Sequence, residues 1–232
     1  MNQASLEDGD LWAVLRRATH EELNAIAGAV NKGLDVFLSR DPRYKEHKND
    51  LTKIPDVIGE YLCRAGGHAV RNLLRGGGPE YAEVVSDVGV ALRIKPLPQG
   101  VLAREEAILR ELTERALKKM SAAHKAELLQ KIQKEAQKAV GWQEIVKGSA
   151  GLAGAGPLTY DILVGIFARG SLPLASEALG LGAGATLLGP TGAAFGILWV
   201  AHRFAGPSLR GTIPAVAGVA LVRQRLLWAD QQ

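Results

Sequence analysis

Apolar residues recur at three- and four-residue spacing through the first 147 residues, the period of one face of an α-helix. In "THEELNAIAGAV", Thr19 precedes the apolar run and Glu22 lies three residues on, which predicts a capping box. In "IPDVIGEYL", Ile54, Val57, Ile58, Tyr61 and Leu62 share one face, with Pro55 in the first turn and Gly66–Gly67 just past the end. "PEYAEVVSDVGVAL" repeats the arrangement: Pro79 at the start, Tyr81, Val84, Val85, Val88 and Leu92 on one face, and "KPLP" as the stop. Leu102, Leu109, Leu112, Ala116 and Met120 then form a stripe whose wet side carries Glu106–Arg110, Glu111–Arg115 and Glu114–Lys118. Ser121 is placed to cap a further helix in which Leu128, Leu129, Ile132, Ala136 and Val140 face inward. No run of β-branched residues alternates for long. The expected class is all-α.

The pattern changes near residue 148. Residues 1–147 carry 23 Lys/Arg and 21 Asp/Glu, residues 148–232 only 5 and 3, and 13 of the 27 glycines lie between Gly148 and Gly206. This predicts an N-terminal helical segment (1–52), a helical core domain (53–147) and a Gly/Ala-rich apolar helical hairpin region (148–232). With its capped helices and balanced charge, the 1–147 part is expected to fold by itself.

From Ala178 to Ala201 there are 24 uncharged residues, and about 20 suffice to cross a bilayer as a helix. Leu188 lies near the middle, and Pro190 removes a hydrogen bond there, which membrane helices tolerate when a neighbour covers the freed backbone. Gly192 and Gly196 form a small-xxx-small pair, and Gly182, Gly184 and Gly189 extend the smooth face on which helices approach closely in lipid. A partner arm, residues 149–168, carries only Asp161, and "RGSLPLASE" between the two arms reads as a turn. Lys138 and Lys147 before the pair, and His202, Arg203 and Arg210 after it, put both flanks on the cytoplasmic face. Asp161 and Arg169 need a partner or a wet cavity in lipid and are candidate functional residues for that reason. The competing reading is a hairpin packed in a soluble core. Eight charges in 85 residues, against about a quarter in a typical chain, favour membrane association, with oligomerisation through the Gly-rich region.

Composition narrows the functional classes. A net charge of +4 and a pI of about 9.2 are too weak and too mixed for a nucleic-acid surface, and 5% aromatic residues offer little for base stacking. The lone Cys63 excludes an internal disulfide framework and any multi-thiolate metal site, and its helical context makes it a poor nucleophile. The polar, acidic first ten residues predict no secretory signal, hence a reduced, cytoplasmic setting. His20, His47, His68, His124 and His202 never take the spacing of a helical zinc site. "GLAGAG" has no preceding strand to make a dinucleotide fingerprint, and no G-x-S-x-G elbow occurs. "RNLLRGGGPEY" lacks the strand and the Gly-Lys-Ser/Thr ending of a phosphate loop, so it reads as a Gly-rich helix connection, with anion binding the weaker alternative. No catalytic residue, metal or cofactor is expected.

From Ile58 to Leu129 the chain reads "IGEYLCRAGGHAVRNLLRGGGPEYAEVVSDVGVALRIK…EEAILRELTERALKKMSAAHKAELL". This series of a Gly-Gly after one helix, "RGxG-x-x-Y" before another and then "KKMS-x-x-H-x-x-E-L" resembles the YaaW family of bacterial proteins. The resemblance extends to "LWAVLRRATHEELNAI", to the apolar region and to "LRGTIPAVAGVALVRQR", nearly the whole chain. It singles out Gly66, Gly67, Arg75, Gly76, Gly78 and Tyr81 as a family motif and partner surface. "AGGHAVRN" departs from the family pattern, in which an aromatic more often precedes the glycine pair and a small polar residue follows, so His68 takes no role. The resemblance implies no established reaction and a distant grouping with ubiquinol–cytochrome c chaperones. The expected function is a non-enzymatic, membrane-associated accessory or assembly factor, chaperone-like, binding a protein partner at the cytoplasmic face of the inner membrane. The alternative is a membrane-permeabilising protein whose Gly-rich hairpin is released into a bilayer.

Overall fold

The computed structural model describes residues 3–31, 38–66, 78–119, 122 and 209–230, and among these the regular structure is wholly helical. Eight α-helices occur there: α1 (Gln3–Glu7), α2 (Leu11–Leu15), α3 (His20–Val30), α4 (Pro42–His47), α5 (Pro55–Gly66), α6 (Tyr81–Ala91), α7 (Val101–Lys119) and α8 (Thr212–Ala229). Short 3₁₀ turns span Leu38–Arg40 and Leu51–Lys53. The helix expected after Ser121 and both arms of the Gly-rich hairpin lie outside the described residues.

Local signals account for the helix starts. The Glu22 backbone amide donates to the Thr19 hydroxyl at 3.3 Å, and the Thr19 amide donates to the Glu22 carboxylate at 2.8 Å, so the predicted capping box forms at α3. Asp10 and Asp41 accept backbone amide hydrogens at the starts of α2 and α4. The apolar stripes then decide which face turns inward. Val57, Ile58 and Leu62 of α5, Tyr81, Val84, Val85 and Val88 of α6, and Ile108, Leu109 and Leu112 of α7 are all buried. The three predicted surface pairs on α7 also form, at 3.4 Å for Arg110–Glu106, 2.6 Å for Arg115–Glu111 and 3.7 Å for Lys118–Glu114.

α8 has no wet face over most of its length: residues 212 to 223 are buried without a break. A helix apolar on every side must be surrounded, either by protein or by lipid. Here the earlier helices surround it. α8 packs most extensively on α3, then on α7, α2 and α6, and also meets α1 and α5. Charge composition groups residues 212–229 with the apolar region; packing groups them with the helical body. Residues 1–147 therefore do not include the helix on which α3, α7, α2 and α6 all pack. No helix among the described residues is long and apolar enough to cross a membrane.

Candidate functional site

Where α8 passes between α6 and α7, the core contains charge. On α7, Glu105 falls three, four and seven residues before Ile108, Leu109 and Leu112, so it shares their inward face. On α8, Arg223 ends the uninterrupted buried run. Both side chains are buried, and they form a two-pronged ion pair: Nε to Oε2 at 2.6 Å and Nη2 to Oε1 at 3.2 Å. The remaining guanidinium hydrogens go to backbone carbonyls, Nη1 to Leu6 at 2.9 Å and Asp10 at 3.2 Å, and Nη2 to Gly9 at 3.3 Å. Arginine has five N–H donors, and each one has an acceptor. The Tyr81 hydroxyl completes the group by donating to Glu105 Oε1 at 2.7 Å. Three helices and the α1–α2 turn thus meet at one point.

Electrostatics follow from the burial. Loss of water pushes the Glu105 carboxyl above its ordinary value, against the downward pull of Arg223 and Tyr81. Burial also pushes the Tyr81 hydroxyl well up, with Glu105 adding to it, so it remains a donor. For Arg223 burial opposes the charge, and Glu105 more than offsets that. A second pair binds the end of α8 to the start of α3: Arg225 donates to both oxygens of Glu22, at 2.7 and 2.8 Å, beside the capping box. The carboxylate of Asp230 accepts two bonds from Arg17 at 2.8 and 2.6 Å.

Above Tyr81 the surface opens into a groove of about 490 Å³ between α2, α5 and the segment entering α6. Leu11, Trp12, Pro79 and Tyr81 supply apolar wall, and Glu60, Arg64 and Glu80 supply charge. Arg43 donates to Glu60 at 3.4 Å, and the Arg64 guanidinium lies 5.4 Å from the centre of the Tyr61 ring. Cys63 lines the groove, but burial pushes its thiol up to about 11, leaving it protonated and unreactive near neutrality. Among the described residues no group of His, Cys, Asp or Glu side chains could hold a metal ion. The groove thus presents apolar and charged groups side by side.

Two glycines of the expected motif set the crossing of α5 and α6. A Cβ on Gly78 would lie 2.7 Å from the Arg64 nitrogen and 2.7 Å from the Cys63 carbonyl carbon, both backbone atoms. A Cβ on Gly66, the last residue of α5, would meet both methyls of Val84 at 2.5 Å. Gly78 is not in the left-handed region; it serves a close approach of two backbones. Gly78→Ala is therefore expected to lower stability by about 1–3 kcal/mol, the usual cost of overpacking. Gly28→Ala in α3, where a Cβ meets nothing within 4 Å, is expected to raise stability by about 0.5–1 kcal/mol through helix propensity. Thermal melts of the two variants check the contrast, and a Gly78→Ala melt matching the parent chain refutes the close approach.

No family model matches the chain. The "UPF0174 protein YaaW" of Escherichia coli O157:H7 is 30% identical over 243 residues, covering all of both chains. The chain belongs to the YaaW (UPF0174) family. The YaaW protein of Escherichia coli K12 is 29% identical over 243 residues, again end to end. A UPF0174 protein of Helicobacter pylori J99 is 26% identical over 206 residues, which span 84% of this chain and 80% of that one. No solved structure matches.

In this YaaW-family chain the structure brings together only part of the expected motif. Gly66, Gly78 and Tyr81 cluster where α5 meets α6, with Tyr81 reaching inward to Glu105. Gly67, Arg75 and Gly76 lie outside the described residues, as do Asp161, Arg169, Gly182, Gly184, Leu188, Gly189, Pro190, Gly192 and Gly196. Sequence reasoning missed Glu105 and Arg223. Their signal was register: each is a lone charge on an otherwise apolar face.

Proposed function

We propose that this chain is a non-enzymatic, membrane-associated helical protein, an accessory or assembly factor that binds a protein partner at the cytoplasmic face of the inner membrane. One observation carries the reading: a 24-residue uncharged run, from Ala178 to Ala201, sits in a chain whose other half has the charge of a water-exposed helical body. The groove beside Tyr81 is the surface assigned to the partner, since aromatic and apolar walls with a charged rim are the usual anatomy of a protein interface. The distant grouping with ubiquinol–cytochrome c chaperones that the sequence resemblance implies motivates the assembly role. Attachment through the hairpin needs no cofactor.

The test is fractionation of cells producing the full chain, followed by a high-salt wash of the membranes. The protein is expected to stay with the washed membranes and to leave dye-loaded vesicles of the same lipids sealed. Recovery in the aqueous fraction overturns the membrane reading. Retention with dye leakage replaces the assembly role with the permeabilising one.

A further inference from the structure

We propose that two arginines of α8 act as a register lock: Arg223 and Arg225 fix how far α8 is inserted and how it is turned, a choice that its apolar packing leaves open. From Ile213 to Val222 every residue is buried, and apart from Pro214 and Gly218 the side chains are alanine, valine, leucine and isoleucine on all faces. Burial of apolar surface has no direction. Slid by one turn, about 5.4 Å, or turned by one residue, about 100°, this stretch would still present side chains of the same kind to α3, α7, α2 and α6. Apolar cores lose a unique arrangement before they lose stability.

The two arginines remove that freedom. They stand two residues apart, about 200° round the helix, and so leave α8 on opposite sides. Arg223 reaches Glu105 on α7 at 2.6 and 3.2 Å, and Arg225 reaches Glu22 on α3 at 2.7 and 2.8 Å. A forked guanidinium–carboxylate contact fixes orientation as well as distance. Arg223 also donates to the carbonyls of Leu6, Gly9 and Asp10. In any other register a buried charge is left without its counter-charge, and that register is disfavoured. One pair alone is a pivot; two on opposite sides define both depth and rotation. The other polar contacts of α8 hold it less firmly. Thr212 donates a neutral hydrogen bond to the Ala65 carbonyl at 3.0 Å, and the Arg17–Asp230 pair is partly exposed.

The distance between two spin labels on the full-length protein tests the lock. The labels are carried by Val90→Cys, on α6, and Ala229→Cys, at the end of α8, in a Cys63→Ser chain; both positions are exposed. Two variants each remove both members of one pair, so that no buried charge is stranded: Glu105→Leu/Arg223→Met and Glu22→Gln/Arg225→Gln. A glutamine at position 22 preserves the capping box of α3. The parent chain is expected to give one narrow distance. Each variant, with its helical circular dichroism retained, is expected to give a broadened distribution or a second distance displaced by up to about 5 Å, one helical turn. A narrow distance at the parent's value in the folded variants overturns the proposal even where the denaturation midpoint falls, because the pairs then contribute stability and not register. If one variant does not fold, the other decides in the same way.

Discussion

Arg223→Ala is expected to bring the protein to the edge of unfolding. The substitution leaves the Glu105 carboxylate buried with only the Tyr81 hydroxyl for company, and it takes the side-chain donor from the carbonyls of Leu6, Gly9 and Asp10. Removing one member of a buried ion pair typically costs about 3–5 kcal/mol, against a total of about 5–15 kcal/mol for a native fold. The loss is read as a fall in the midpoint of urea denaturation, followed by helical circular dichroism. Tyr81→Phe keeps the ring and removes one hydrogen bond to a charged acceptor, for which about 1.5–3 kcal/mol is expected. Replacing both charges, with Glu105→Leu and Arg223→Met together, is expected to recover part of the loss, because no charge is then buried without its counter-charge. An Arg223→Ala midpoint equal to that of the parent chain would remove the pair from the account of what holds α8.

Leu188→Lys is expected to release the protein from membranes while leaving the helical body folded. Leu188 lies near the middle of the uncharged run, where a lysine opposes insertion by about 2.5–3.5 kcal/mol. That is about two to two and a half orders of magnitude in partitioning, and a span rich in glycine and alanine has little reserve. Ser176→Lys, in the turn sequence, is the control and is expected to leave partitioning unchanged. Sedimentation of the two variants with vesicles reads the difference, and the helical signal of the released protein reports on the body. If the hairpin is packed in a protein core instead, Leu188→Lys causes aggregation, and protease sensitivity spreads through α1–α7. That outcome removes lipid from the account.

Much of the helical body was legible from local pattern. The Thr19–Glu22 box, the stripes of α5, α6 and α7 and the three ion pairs on the surface of α7 involve residues three or four apart. At that distance helix geometry alone brings side chains together, so a run of sequence contains the whole interaction. The class and the positions of α3, α5, α6 and α7 followed from this. So did the burial of Tyr81, which lies on its helix's apolar face and is 7% exposed.

Other features depend on contacts that no local period encodes. Gly78 is required by the backbone of α5, fourteen residues earlier at Arg64, and a glycine by itself does not say whether it serves a bend or a close approach. Glu105 and Arg223 are 118 residues apart, and each taken alone is only a misplaced charge on an apolar face. The Arg225–Glu22 pair spans 203 residues. α8 is the sharpest case, because its run from Ile213 to Val222 is buried on every side and no local period names what covers it. Sequence alone determined that α8 must be surrounded. Only the tertiary structure decided by what: α3, α7, α2 and α6 together bury the helix that local composition had assigned to the membrane region.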